Sequence, residues 1–415
     1  MPKNPCKATG FHYDLHECNL NVSYILQKGL QPRQKDSKES LAGLFQHICL
    51  PHHKQVLKYS GMFASILFIL LLLSGCTQKN VSVKPGEDTF IEEHMKNVTQ
   101  LTFDGDNGEA YFSPDGRKLI YQSNRDLYAC DKIWIMNIDG SDKHMVSPDH
   151  GAHTCSFFFP DNQRIIFSST SHIPGDCPPK PKAPQVAGHV WPLYPYDIFI
   201  ANADGSNLKK ITDNPQYDAE PIVSHDGKQI VFGSQRYGDF DVYIMNSDGT
   251  GVRRLTDRTG YDGGPWFSPD SKKIAWRAWY PETEEEKALW RDCMENNYIV
   301  PVPLDLWIMD SDGSNKKRIL HNKATNFAPS WYPAGKRIIF SSNMDDWRED
   351  MKRYGHNFEL YTINSDGTGL KRLTYNKVFD GFPMFSPDGK KLAFASNRNP
   401  QKPRATDIFI ADWFE

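Results

Sequence analysis

Six polar side chains able to hold a cation stand six residues ahead of a recurring turn: Asn107, His153, Asp218, Asp262, Asn326 and Asp380. Two positions further on, Glu109 and Glu220 add carboxylates in two of the repeats. One such position per repeat, at the entrance of an inner strand, is expected to form a ligand-binding ring where a central channel opens. Three Asp about 7–10 Å apart would repel one another by about 2 kcal/mol per pair at an effective dielectric near 20. A divalent cation such as calcium, a cationic ligand group or backbone hydrogen bonds must offset that. Asp218, Asp262, Asp380 and His153 are the expected metal ligands. The competing reading is that these side chains cap strand entrances, as Asp and Asn do in Asx-turns.

Other constellations point away from catalysis. His150 and His153 form H-x-x-H on a loop without the intervening Glu or the helix that a zinc protease needs. No Gly-x-Ser-x-Gly elbow is present. Turns such as Asp310-Ser311-Asp312-Gly313 open like a calcium loop but lack the later bidentate Glu, so they read as hairpin turns. A metal-dependent lyase or hydrolase at the channel mouth is the alternative to a non-enzymatic binding platform, and it would have to draw on His153, His172 and His189. Arg125, Arg236 and Arg398 end strands beside the ring and are expected to pair with it. An exported setting permits disulfides, and Cys177 is expected to bridge to Cys130 or Cys155.

The elements that must position these groups repeat along the chain. An aromatic-rich strand, a Ser-Pro-Asp-Gly-type turn, a β-branched strand, an Asp-Gly turn and a basic strand recur from residue 110 onward. Asp-Gly between apolar runs is a strong hairpin signal because the tight turn needs positive φ. Four-strand units of this length are propeller blades, which bury their faces only against neighbouring blades. The expected fold is all-β: a six-bladed β-propeller of four-stranded blades. The sixth unit lacks one strand, and residues 97–102 are expected to pair with 408–411 and close it, removing two exposed edges. Three insertions, 171–196, 279–304 and 343–358, fall between the second and third strands of blades two, four and five. They therefore build up one face, and a short helix with an acidic first turn is expected around 282–291.

Targeting and charge bound the setting. The run Met62–Leu73 is too short for a bilayer span and matches a signal-peptide core. Leu73-Ser74-Gly75-Cys76 follows it and resembles a lipobox, making Cys76 the expected lipid-bearing residue of the mature chain. The expected organisation is a mis-annotated or disordered extension (1–55), a signal peptide (56–75), a tether (76–96) and the propeller (97–415). Cys6, His12, His16 and Cys18 in the extension match no zinc spacing. Thr77, not Asp, after the lipidated Cys leans towards the outer membrane. A net charge of −3 offers none of the basic surplus a nucleic-acid partner requires.

The phrases FSPDGRKLIYQSNR, DIFIANADGSNLKKIT, DVYIMNSDGTGVRRLT and MFSPDGKKLAFASNR resemble the propeller repeats of TolB-like proteins. The resemblance covers about residues 98–413. It implies a periplasm-facing six-bladed propeller that lodges a protein or peptide, here a cell-envelope protein, peptide or glycan. TolB proteins also carry an N-terminal α/β domain, for which the 76–96 tether leaves no room, so the expected molecule is a TolB-like propeller lipoprotein held to the lipid bilayer by an acyl anchor.

Overall fold

The computed structural model describes residues 92–125, 127–184, 190–348, 353–354, 357–398 and 405–415. The segments expected to be an extension and a signal peptide, and the expected lipidation site Cys76, lie outside the described residues. Six four-stranded antiparallel sheets follow one another along the chain as blades one to six. In blade one, strands a to d are Asp106–Phe112, Lys118–Asn124, Lys132–Asn137 and His144–Met145. The same letters apply in every blade, with strand a innermost.

Strand b explains why these sequences need six units. Ile165-Ile166-Phe167, Ile230-Val231-Phe232, Ile338-Ile339-Phe340 and Leu392-Ala393-Phe394 are all fully buried, with alternate side chains entering opposite faces of the blade. A sheet apolar on both faces cannot stand alone. Each such side chain gains about 1.5–3 kcal/mol only when a neighbouring blade covers it.

The turns keep this spacing. Ser113 Oγ donates to Asp115 Oδ1 and accepts from the Lys118 amide, locking the a–b turn. The same pattern recurs at Ser224, Ser268 and Ser386. In the c–d hairpins, Asp139, Asp204, Asp248, Asp312 and Asp366 each accept from the amide and hydroxyl of the Ser or Thr two residues on. These carboxylates are spent on turns.

Blade six closes as the missing strand requires. Met95–Gln100 pairs antiparallel with Asp407–Trp413, setting Met95 opposite Trp413 and Gln100 opposite Phe409. The pairing starts two residues earlier than the Leu-Thr pattern suggests.

All three insertions join strands b and c, so they rise from one face. Helix α1, Glu284–Glu295, begins at a capping box in which Thr283 and Glu286 satisfy each other's backbone amides. Two insertions also meet. Trp191–Pro192 from blade two pairs antiparallel with Tyr298–Ile299 from blade four, a two-stranded ribbon formed between non-adjacent blades. Leu193, Tyr194, Trp290, Tyr298 and Val300 from these insertions share one apolar cluster with Ala152, Tyr217, Tyr261 and Phe327, at the strand-a entrances of blades two to five.

Candidate functional site

The six column residues are not brought together. Asn107, His153, Asp218, Asp262, Asn326 and Asp380 are each at most 1% exposed, and each is bonded within or beside its own blade. Asn107 donates to the Asp104 and Thr406 carbonyls and to Asp407. Asp218 is held by Arg236 at 2.5 Å, with Ser234 and Asn214. Asp262 accepts from Trp276 Nε1 and Tyr280 Oη, both at 2.7 Å. Asn326 donates to the Leu304 carbonyl and accepts from Ser342, and Asp380 pairs with Arg398 and Asn376. His153 Nε2 lies 2.9 Å from the His150 carbonyl, and burial with the nearby Lys132 charge lowers its pKa to about 3.

The expectation of a metal-binding ring is therefore corrected. Among the described residues, no three His, Cys, Asp or Glu side chains gather as ligands. This column at the start of strand a is buried in its blade, where it caps strand ends. Arg236 and Arg398 pair with their column carboxylates as expected, whereas Arg125 reaches Asp104, because blade one offers an Asn. His172 lies 3.5 Å from Asp197, and His189 falls outside the described residues.

The axis is lined two residues further along. Glu109, Cys155, Glu220, Gly264, Ala328 and Phe382 stand at one register position in the six blades, and all six have φ between 49° and 58°. At each of them the a–b ladder shifts register, which marks a bulge. A left-handed residue in an inner edge strand no longer sends its side chain to a blade face. All six line one small axial cavity that is partly open to solvent. The five non-glycine residues each bear about 1–2 kcal/mol of backbone strain. Strain of this kind clusters at functional positions.

Blade four supplies the cavity's cation by omission. A Cβ on Gly264 would sit 3.0 Å from both Cζ and Nη1 of Arg277, so glycine leaves that guanidinium its place. Arg277 donates from Nη2 to Glu220 at 2.6 Å and from Nε to Tyr261 Oη at 3.0 Å. The other Glu220 oxygen accepts from the Gly264 amide at 2.8 Å. Glu109 has a different environment. Burial, with the Glu220 charge adding to it, pushes its carboxyl up to about 7, against the Cys155 thiol bond and Arg277, which favour the anion. The walls are Tyr111, Ile222, Pro265, Trp266 and Pro329. Of this cavity the sequence columns had singled out only Glu109 and Glu220.

The cysteine choice falls on one pair: Cys130 and Cys177 are disulfide-bonded with Cα atoms 5.7 Å apart, tying the blade-two insertion to blade one. Cys155 stays free on the axis, and Cys293 is free and buried in α1.

Comparison with known proteins bears on this architecture. Residues 181–287 match the model of the TolB beta propeller domain, PD40. The Tol-Pal system protein TolB of Francisella tularensis is 32% identical over 107 residues, covering 26% of this chain and 22% of that protein. The propeller is TolB-like. An uncharacterised protein of Agrobacterium fabrum is 30% identical over 92 residues, 22% of this chain and 28% of its own. The chain thus spans less than a third of the length of the curated relatives it matches. The solved structure of a TolB-type protein from Agrobacterium tumefaciens superposes with a TM-score of 0.50 at 18% identity, over 77% of this chain and 97% of that one. That likeness is one of fold.

Proposed function

We propose that the protein is a cell-envelope lipoprotein, anchored through Cys76 and facing the periplasm from the outer membrane, whose insertion-bearing face receives a partner without catalysing a reaction. The observation that carries this reading is the ribbon Trp191–Pro192 with Tyr298–Ile299, backed by its apolar cluster. Loops this long are functional when ordered, and these are tied by a β-ladder, a disulfide and a capped helix. Their face also presents large apolar groups to solvent: Phe103, Leu127, Trp191 and Tyr237, the last 75% exposed. Aromatics of this kind are common anchors of protein interfaces. The Francisella relative is named for the Tol-Pal system, which favours a protein partner over a glycan.

Photo-crosslinking in intact envelopes tests this. A crosslinking residue at Trp191 or Tyr237 should trap a discrete partner, while Leu208 and Leu370, in the c–d hairpins of the opposite face, should not. Equal adducts from both faces, or none from the insertions, would overturn the assignment. Intact mass of the purified envelope protein tests the anchor separately, since a chain retaining Cys6 and Cys18 is not processed at Cys76.

A further inference from the structure

We propose that the axial cavity binds a compact organic ammonium ion, with the Glu109 carboxylate as its counter-charge and Tyr111, Trp266 and Phe382 as its aromatic wall. The site is distinct from the outer face and does not depend on what docks there. Each blade aims one left-handed residue into this space, and five of the six are not glycine. Five strained positions in register are costly to keep unless what they surround matters.

The charges then decide the ligand class. Glu220 is committed to Arg277 and to the Gly264 amide. Glu109 lines the same cavity and is bonded by the Cys155 thiol, and among the described residues no cation forms an ion pair with it. A metal ion would need three or more donors, and the described residues gather no such set. An alkylammonium needs one carboxylate and aromatic faces, which attract cations through the ring quadrupole. Tyr111, Trp266 and Phe382 line the cavity beside Glu109, with Tyr111 and Trp266 held edge to face at 4.9 Å between centroids.

Titration supports the same reading. The groups around Glu109 are Glu220 and Asp131, which hold its proton on, and Arg277 and the Cys155 thiol, which release it. With its carboxyl near 7, the ionised fraction falls about tenfold from pH 8 to pH 6, and ammonium affinity should fall with it.

Calorimetric titration of the full chain with methylammonium and tetramethylammonium chloride, against matched sodium chloride, tests the site. Saturable binding of at least one ion is expected at pH 8, about tenfold weaker at pH 6 and lost in Glu109→Gln. No saturation at pH 8, equal binding by the variant, or calcium binding that requires Glu109 would each overturn the proposal. Wild-type affinity that is flat between pH 6 and 8 would do so without any variant.

Discussion

Gly264→Ala isolates the role of the Arg277 niche. Alanine at φ +58° bears roughly 1 kcal/mol of left-handed strain. That alone is tolerable, since Ala328 holds the same register position in blade five at φ 49°. The new Cβ, however, would press on the Arg277 guanidinium at 3.0 Å, and that group is fixed by Glu220 and Tyr261. Charged hydrogen bonds of this kind contribute about 1.5–3 kcal/mol each. Weakening the pair should add roughly 2 kcal/mol, for a total near 3 kcal/mol. In an Arg277→Met background the niche holds no guanidinium, so the same substitution should cost only the strain term. Urea unfolding of the four proteins of this cycle should therefore give a coupling of about 2 kcal/mol between positions 264 and 277. Additive effects within 0.5 kcal/mol would refute the niche argument.

Deleting Met95–Gln100 strips the outer strand from blade six and should lower the urea midpoint sharply; an unchanged midpoint would mean that the strand does not close the ring. Cys177→Ser opens a loop of 47 residues and should cost up to about 4 kcal/mol by loop entropy, seen as a lower midpoint that reductant reproduces in the wild type but not in the variant. Asp262 is pushed up to about 7 by burial, against its bonds from Tyr280 and Trp276. Its folded value exceeds its unfolded one, so the stability it contributes is complete below about pH 4 and is lost as pH rises through 7. Asp262→Asn does not ionise, and relative to wild type it should gain up to about 4 kcal/mol between pH 4 and pH 8. A pH-independent difference between the two would contradict the environment assigned to Asp262.

Much of the architecture is legible in residue order because its signals are local. Ser-Pro-Asp-Gly and Asp-Gly place two turns in each repeat, and the strand missing at the end has a ready counterpart at the start. The axial lining is hidden from the same reasoning. Counting alternate residues along strand a makes positions 107 and 109 equivalent, but the bulge at Glu109 turns that side chain to the axis while Asn107 stays in its blade. A signal for it does exist: Pro221, Pro265, Pro329 and Pro383 each follow the left-handed residue in four of the six blades. Proline has no amide to give a ladder and settles at edges and bulges. The ribbon left no comparable trace, since its two strands are two residues each and lie in different blades.

The closure of blade six also fixes when the molecule can finish folding. His94 Nδ1 donates to the Phe414 carbonyl across 320 positions of sequence, beside the ladder that joins Met95 to Trp413. Blades one to five can form as the chain lengthens, but the first strand has no partner until the last residues arrive. A contact of that span is slow to make. During that interval Met95–Gln100 is an unpaired strand, open to pairing with a second copy of the chain. A premature stop at position 407, which removes Asp407–Glu415, would prolong the interval indefinitely, so the loss of nine residues should lead to aggregation and proteolysis of the whole propeller.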